Sequence, residues 1–196
     1  MPGDRGLLGV YVQAPYYNDP DPPAPVGRFE SLWEYEVVQV FFLGEHDCYL
    51  ELMFGPKGHY VAYYLEGVRN VVNKTLDLRS YSASIDGKVW SGRALIPTDY
   101  FPPLLDKFNA FAIHGKNESR QYLALFPATK DTADGPDFHK MQFFQPLNLT
   151  NWISVRSSKF KNNERRSTSS VGGLDMSFSI FVVQTLVIFF MATFYA

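Results

Sequence analysis

A run of seven residues, Val37–Leu43, restricts the fold of this chain more than any other stretch. It reads Val-Val-Gln-Val-Phe-Phe-Leu, so Gln39 is its only polar residue and most of the others are β-branched or aromatic. The run is too short for a typical helix and is typical of a strand that is buried on both faces. We therefore expect it near the middle of a sheet.

The residues that follow predict an antiparallel hairpin. In Tyr49–Phe54, the residues Tyr, Glu and Met alternate with Leu, Leu and Phe, as on a strand with one face turned to a core. Gly55-Pro56-Lys57-Gly58 comes next, and a proline with a preset φ between permissive glycines is typical of a tight turn. We expect His59–Leu65 to return beside the preceding strand.

The rest of the chain up to residue 153 consists of short strand candidates separated by turn residues. Asp86-Gly87 is a strong turn signal, and the candidate after it, Lys88–Ile96, places Trp90 and Arg93 on opposite faces. The other candidates are Leu7–Ala14, Val68–Lys74, Ser80–Ile85, Phe108–His114, Gln121–Phe126, Phe138–Phe144 and Leu147–Ile153. Short strands at this spacing predict an all-β fold, a two-sheet antiparallel β-sandwich formed by residues 1–153.

Composition and charge exclude several classes of protein. A net charge of −2 over 196 residues gives no electrostatic reason to expect nucleic-acid binding. The single cysteine, Cys48, excludes an internal disulfide, and we interpret it as a structural thiol. The first residues lack the apolar core of a secretory signal, so we expect a cytoplasmic protein.

The composition changes after residue 153. Residues 154–175 are rich in Arg, Lys, Ser and Asn, which predicts a disordered basic linker. Residues 176–196 contain no charged residue and are long enough to cross a bilayer, so we expect an apolar C-terminal helix that tethers the protein to the cytosolic face of a membrane. The anchoring residues would be Met176, Phe178, Phe181, Leu186, Phe189, Phe190 and Tyr195. An alternative-exon tail and a glycosylphosphatidylinositol signal are the other interpretations of this segment.

Five separated motifs resemble those of a known family. They are Leu32-Trp-Glu-Tyr-Glu-Val-Val, Gly67-Val-Arg-Asn-Val, Pro97-Thr-Asp-Tyr-Phe-Pro-Pro, Lys107-Phe-Asn-Ala-Phe-Ala-Ile-His-Gly and Pro136-Asp-Phe-His. Their order resembles the animal family named after chromosome 4 open reading frame 33. Members of that family begin with a further strand, which predicts an unpaired sheet edge in this chain. More remotely, the pattern is similar to carbohydrate-binding modules of family 9, β-sandwiches that hold sugars between aromatic rings.

The resemblance to sugar-binding modules implies a site of aromatic rings and directed polar groups. The candidate ligand-binding residues are Trp33, Glu36, Arg69, Trp90, Arg93, Asn109, His114, Arg120 and His139. For the two tryptophans a place in the sandwich core is the alternative, and for the polar residues it is a satisfied structural bond. His114 and His139, taken with Asp137, fit no standard zinc spacing, so we predict neither a metal site nor a cofactor.

No catalytic signature accompanies these residues. The sequence contains no Gly-x-Ser-x-Gly elbow, no assignable Cys-His pair and no phosphate-binding glycine loop. We therefore predict a non-catalytic module that binds a carbohydrate or another small polar ligand. A membrane-tethered protein-interaction module and an unrecognised hydrolase are the two alternatives.

Overall fold

In the computed structural model, which describes residues 6–127, 137–147 and 184–189, nearly all regular structure is extended. The described residues form eleven strands and five short 3₁₀ turns, and none of them forms an α-helix. The strands are β1 (Leu7–Pro15), β2 (Val37–Leu43), β3 (Cys48–Phe54), β4 (Tyr60–Glu66), β5 (Val71–Asn73), β6 (Ser80–Asp86), β7 (Val89–Pro97), β8 (Lys107–His114), β9 (Gln121–Ala124), β10 (Gln145–Pro146) and β11 (Gln184–Phe189). The 3₁₀ turns are Leu32–Glu34, Glu45–Asp47, Thr98–Tyr100, Asn117–Ser119 and Met141–Phe143.

The strands form two sheets, which confirms the predicted all-β sandwich. The smaller sheet has the order β11-β1-β7-β6, and the larger has the order β10-β8-β2-β3-β4-β5, with β9 beside β8. Neighbouring strands are antiparallel, except that β1 and β11 run parallel. As its sequence predicts, β2 lies inside the larger sheet, between β3 and β8, and all seven of its residues are buried.

One apolar core lies between the two sheets. The larger sheet contributes side chains such as Val40 and Phe42 from β2 and Leu52 from β3, and the smaller sheet contributes Val12 and Trp90. Fully burying one side chain of this kind stabilises the fold by about 1.5–3 kcal/mol. The alternation predicted along β7 is confirmed, since the residues on the face of Trp90 are buried and those on the other face are more exposed.

Both predicted hairpins are present. Gly58, in the turn that joins β3 and β4, has a φ of +91°, which glycine adopts without the strain of a side chain. In the second hairpin, Asp86 pairs with Val89, so Gly87 is the first of two turn residues and has a φ of +60°. A glycine at this position matches the twist of a two-residue hairpin turn.

A second apolar cluster lies on the other face of the larger sheet. It includes Phe41 on β2, Met53 on β3 and Phe111 on β8. The segment before β2 covers part of this face through Leu32, and residues 137–147 cover another part through Phe144. Between these two covering segments the strands form the floor of a cleft.

The structure corrects the predicted strands near residue 140. Phe138–Phe144 contains the 3₁₀ turn Met141–Phe143 instead of a strand, because Phe138 and Phe144 fold onto the outer face of the larger sheet. The two-residue β10 ends just before Leu147, and the rest of the strand predicted at Leu147–Ile153 lies outside the described residues. The predicted domain boundary at residue 153 and the basic linker at 154–175 lie outside the described residues and stay predictions.

The predicted apolar C-terminal helix is also wrong for the residues described there. Gln184–Phe189, which includes the predicted anchor residue Leu186, forms β11 and pairs with β1. A short apolar run with β-branched and aromatic residues suits a strand as well as a helix, and the free edge of β1 offers backbone partners. No helix in the described ranges is long and apolar enough to cross a membrane. The other predicted anchor residues outside β11 lie beyond the described part: Met176, Phe178, Phe181, Phe190 and Tyr195.

Candidate functional site

A cleft with a volume of about 600 Å³ lies on the face of the larger sheet that points away from the smaller sheet. Strands β2, β3, β4 and β8 form its floor, and β5, β9 and the surrounding loops form its rim. The floor residues are Gln39, Glu51, Met53, Tyr63, Leu65 and Ile113. The rim residues are Glu30, Trp33, Arg69, Val71, Lys74, Arg120, Tyr122, Phe138 and His139.

Two polar side chains lie in the middle of this mainly apolar floor. Gln39 faces Met53 across the β2–β3 pair and Glu51 faces Tyr63 across the β3–β4 pair, so strand alternation places both on the cleft side. Only 3% of Gln39 and 5% of Glu51 are exposed. The Gln39 amide donates a weak hydrogen bond to the Met53 sulfur at 3.7 Å. Glu51 makes no hydrogen bond or ion pair with any described residue.

Burial raises the pKa of Glu51 to about 8, from an ordinary value of 4.5. Removal from water disfavours the charged carboxylate, and no cation in the described structure compensates for it. The group is therefore mainly protonated at neutral pH, a state in which it both donates and accepts hydrogen bonds. Burial likewise raises the pKa of the neighbouring Tyr63 to about 12, and the charges of Glu30 and Glu51 add to this rise.

Aromatic rings form the walls of the cleft. Phe138 stacks on Phe111 with the ring centres 4.1 Å apart, and the Tyr122 ring lies edge-on to Phe138 at 5.9 Å. Trp33 is 41% exposed, so part of its ring is available to a ligand. The hydroxyl of Tyr63 donates to a backbone carbonyl oxygen at 3.0 Å, which fixes its ring along the floor.

Arg120 holds the 3₁₀ turn that carries Trp33. Its guanidinium donates to the backbone carbonyl oxygens of Trp33 and Glu34, and its Nε donates to the Tyr122 hydroxyl at 3.1 Å. Its charge also lies 5.6 Å from the centre of the Tyr122 ring, within the range of a cation–π contact. Because carbonyl groups in so short a turn have few backbone partners, these bonds fix the position of Trp33 at the rim.

Two rim residues, Arg69 and His139, are linked by hydrogen bonds to Asp137 and Tyr49, which do not line the cleft. The Arg69 guanidinium pairs with Asp137 at 2.9 Å, and Asp137 accepts the backbone N–H of His139 at 3.0 Å. His139 Nδ1 lies 2.7 Å from the hydroxyl oxygen of Tyr49, which also accepts the backbone N–H of Arg69 at 2.9 Å. These contacts tie residues 137–147 to the loop after β4.

Burial is the largest influence on the pKa values of His139 and Tyr49. Removal from water lowers the pKa of His139 to about 4, with a further contribution from Arg69 and an opposing one from Asp137. Burial raises the pKa of Tyr49 to about 12, so at neutral pH the imidazole is neutral and the phenol is protonated. The Tyr49 oxygen accepts the backbone N–H of Arg69 and shares a second hydrogen bond with Nδ1, whose direction depends on the tautomer of His139.

Comparison with known proteins gives the family of the chain. It is 45% identical over 156 residues to the mouse UPF0462 protein C4orf33 homolog, a match that covers 76% of this chain and 79% of the mouse protein. The chain belongs to the UPF0462 family. The zebrafish homolog is 42% identical over 167 residues, covering 80% of this chain and 84% of its own, and the human UPF0462 protein C4orf33 is 41% identical over 156 residues, covering 76% of each. The family resemblance carried by the five sequence motifs is therefore confirmed.

Two other comparisons say less about this UPF0462 protein. No protein-family model matches the chain. A crystal structure described as that of a "putative carbohydrate-binding protein" from Bacteroides uniformis covers 59% of this chain and 62% of its own, at 20% identity and a TM-score of 0.45. A likeness of this degree carries no argument about ligand or function.

Four of the predicted ligand-binding residues line the cleft of this UPF0462 protein, and others lie elsewhere. The four are Trp33, Arg69, Arg120 and His139. Trp90 is 1% exposed in the core between the sheets, so its ring has no face for a ligand and the predicted contact is corrected to a core position. Arg93 lies on the outer face of the smaller sheet, away from the cleft.

The three remaining predicted residues contact other parts of the chain outside the cleft. Glu36 is buried and accepts two backbone N–H groups from the segment before it, at 3.0 and 3.2 Å. Asn109 accepts the backbone N–H of Phe126 at 3.1 Å and donates to its carbonyl oxygen at 2.9 Å. The His114 ring stacks on Tyr17 with the ring centres 3.4 Å apart. For Glu36 and Asn109 these are the structural bonds that the sequence left open as the alternative.

The two histidines of the metal hypothesis have different neighbours. His114 stacks on Tyr17, whereas His139 binds Tyr49 at the rim of the cleft. Within the described residues, no group of three or more His, Cys, Asp or Glu side chains is arranged to hold a metal ion.

Sequence reasoning missed the floor of the cleft. Gln39 interrupts an apolar strand, and Glu51 lies within a strand whose other face is apolar. A polar side chain on a strand that is covered on both faces is costly unless it is hydrogen-bonded to the protein or to a ligand. The sequence pattern alone therefore indicates Gln39 and Glu51 as candidate site residues. Tyr122 and Phe138 had no such signal, because they reach the cleft from segments that are distant in sequence.

Proposed function

We propose that the cleft binds a small polar ligand of sugar-like chemistry, a molecule with several hydroxyl groups and apolar C–H faces. The observation that carries the proposal is the pair of buried polar side chains, Gln39 and Glu51, in the middle of its floor. A buried polar group without a good partner costs roughly 1–3 kcal/mol. A ligand that supplies the missing hydrogen bonds would recover part of this free energy.

The walls and the rim fit the rest of such a ligand. The rings of Trp33, Tyr122 and Phe138 offer aromatic surface against which C–H faces can pack. On the rim, Arg69 offers N–H donors to hydroxyl groups, and the neutral imidazole of His139 offers a nitrogen that donates or accepts according to its tautomer. The volume of about 600 Å³ is within the range of roughly 300–1,000 Å³ that is usual for small-molecule sites.

Calorimetric titration with the glycans that a glycan array selects tests the proposal. Trp33→Ala and Gln39→Leu should each weaken binding at least tenfold, because the first removes a wall and the second a polar group of the floor. Leu104→Ala is a matched control, since Leu104 is 71% exposed and is not among the residues that line the cleft. Circular dichroism confirms that each variant is folded.

Two outcomes of this experiment would contradict the proposal. One is that no glycan on the array binds to the wild-type protein. The other is that Trp33→Ala and Gln39→Leu both bind as tightly as Leu104→Ala.

One observation favours hydrolysis as a second function. A carboxyl group that stays protonated at neutral pH, as burial causes for Glu51, is in the state that a general acid requires. Turnover of a broad panel of chromogenic hydrolase substrates by the wild type, but not by Glu51→Gln, would support this function. Absence of turnover in the wild type would favour binding without catalysis.

The membrane-tethered interaction module has no support from the described residues. A cytoplasmic location and a membrane contact through residues 176–196 are proposals that rest on the sequence alone. Fractionation of cells that express the chain with and without these residues tests them. A membrane fraction that contains the protein only when the segment is present is the result that would favour tethering.

A further inference from the structure

Three charged side chains at the rim of the cleft, Glu30, Arg69 and Lys74, have partners of opposite charge, but the acidic side chain on the floor does not. Arg69 pairs with Asp137 at 2.9 Å, and Lys74 lies 3.9 Å from Glu30. Glu51 is 5% exposed, lines the cleft and makes no ion pair or hydrogen bond with any residue in the described ranges. Among the charged groups of the cleft, it is therefore the one whose interactions the described chain leaves incomplete.

Aromatic side chains surround Glu51. Phe41 on β2 and Tyr63 on β4 lie directly opposite it across the two neighbouring strand pairs. Tyr49 lies two residues away on the same face of β3. Side chains directly opposite each other have Cβ atoms about 4.5–5.5 Å apart, so rings flank the carboxyl group on both sides. The faces of such rings attract cations.

We propose that the ligand of the cleft carries a cationic amine that binds Glu51. This inference rests on the proposed function and narrows the ligand to amino sugars and related hydroxylated amines. An ammonium group supplies the positive charge and the donors that Glu51 lacks. A charge-assisted hydrogen bond is roughly twice as strong as a neutral one, and a site removed from water strengthens it further.

The remaining charged and titratable groups that face the cleft fit the other end of such a ligand. Arg69 and Lys74 are paired on the rim, and Arg120 donates to backbone carbonyl oxygens. His139 is neutral at pH 7, because burial lowers its pKa to about 4. These groups would contact the hydroxyl oxygens of the ligand, while the amine of the ligand contacts Glu51 on the floor of the cleft.

Binding of the amine would form no covalent bond and would release a proton. In the free protein Glu51 holds its proton at neutral pH, because burial raises its pKa to about 8. When an ammonium ion binds, the carboxyl group gives this proton to the buffer, and the carboxylate pairs with the cation. Binding of a neutral sugar leaves the proton in place, so proton release distinguishes the two kinds of ligand.

Three β-1,4-linked disaccharides provide matched probes, because they differ only in the group at carbon 2 of each ring. Cellobiose carries hydroxyl groups, N,N′-diacetylchitobiose carries neutral acetamides, and the chitosan disaccharide carries amines. Titration calorimetry of the full chain at pH 7, in buffers of different ionisation enthalpy, measures affinity and proton release together. We expect the chitosan disaccharide to bind at least tenfold more tightly than the other two and to be the one of the three whose binding releases protons.

The variant Glu51→Gln keeps the shape of the neutral side chain and removes its ability to become charged. It should bind the three disaccharides within about threefold of one another and release no proton. Glu118→Gln, which alters an exposed carboxylate on the 3₁₀ turn Asn117–Ser119, is the matched control and should keep the wild-type preference. The comparison among ligands for the wild type does not depend on the folding of any variant.

Each other outcome overturns a defined part of the reasoning. Equal affinity of the wild type for all three disaccharides would overturn the amine inference and leave the proposed sugar binding intact. A preference for the amine that persists in Glu51→Gln would show that another group recognises it, which also overturns the inference. Failure of all three to bind would overturn the inference and count against the proposed function as well.

Discussion

Replacing Glu51 with glutamine should change how the stability of the protein depends on pH. The carboxyl group is 5% exposed, and burial raises its pKa to about 8 from an ordinary value of 4.5. Between these two values the unfolded chain has released the proton and the folded chain retains it. The free energy of unfolding of the wild type should therefore fall as the pH rises through this range. The glutamine variant lacks this dependence.

The size of the effect follows from the difference between the two pKa values. Each pH unit between them lowers the free energy of unfolding by about 1.4 kcal/mol. From pH 5 to pH 8 the wild type should lose roughly 3–4 kcal/mol relative to Glu51→Gln. This is a large share of the roughly 5–15 kcal/mol that stabilises a typical domain.

Buried histidines act in the opposite direction at lower pH. Burial, with help from Arg69, lowers the pKa of His139 to about 4, so between about pH 4 and 6.5 the unfolded chain binds a proton that the folded chain does not. Burial lowers the pKa of His114 as well. Stability gained from the histidines as the pH rises therefore offsets the loss from Glu51 below about pH 6.5. The difference between wild type and Glu51→Gln cancels the histidines and isolates Glu51.

Urea unfolding followed by circular dichroism at intervals from pH 5 to 8.5 measures this difference. The free energy of unfolding of the wild type should be nearly constant below pH 6.5 and should fall above it. That of Glu51→Gln should rise relative to the wild type over the whole pH range. Glu118→Gln removes an exposed carboxylate and should run parallel to the wild type. Parallel curves for Glu51→Gln and the wild type would refute the reasoning, because they would mean that Glu51 ionises alike in the folded and unfolded chains.

Three further predictions concern the core between the sheets and two residues at the rim of the cleft. Trp90→Ala should lower the free energy of unfolding, measured in urea, by about 3–5 kcal/mol, because it leaves a cavity in the core. Trp33→Ala should lower it by less than about 1 kcal/mol, because Trp33 is exposed. Arg120→Lys should weaken binding of an array-selected glycan severalfold in calorimetry without unfolding the protein, since an ammonium group cannot reach all the acceptors of the guanidinium. The imidazole resonances of His139 should titrate in NMR with a midpoint near pH 4, and a midpoint near 6.5 would contradict its burial.

The central strands could be predicted because their local pattern and their tertiary role agree. Val37–Leu43 is apolar on both faces in the sequence, and β2 is covered on both faces in the structure. The turn at Gly87 follows from a backbone conformation that few other residues adopt, and it appears where the sequence places it. Neither feature depends on contacts with distant parts of the chain.

The candidate site was only partly predictable because distant contacts create it. Trp33 and Trp90 each follow an aliphatic residue and precede a polar one, yet one is 41% exposed at the rim and the other is 1% exposed in the core. What separates them is the contact of Arg120 with the turn of Trp33, between segments more than 80 residues apart. No local period encodes such a contact.

The C-terminal segment illustrates a different limit. An apolar run satisfies the requirements of a membrane helix and of a buried strand, and its own composition cannot choose between them. What decides for Gln184–Phe189 is the neighbouring backbone, because β1 has a free edge on the side where β11 pairs with it. The sequence predicts an unpaired sheet edge, but it does not indicate that Gln184–Phe189 pairs with such an edge.

The distribution of polar residues over β2 and β3 connects the fold to the proposed site. On the face toward the smaller sheet both strands carry only apolar side chains, such as Val40 and Leu52. On the opposite face Gln39 and Glu51 are buried at the floor of the cleft, where the covering segments leave the larger sheet open. If these positions served packing alone, apolar residues would fill them at lower cost, as they do on the inner face. Their restriction to the open side is what a ligand-binding surface requires, so under the proposed function the floor, more than the exposed rim, would set specificity.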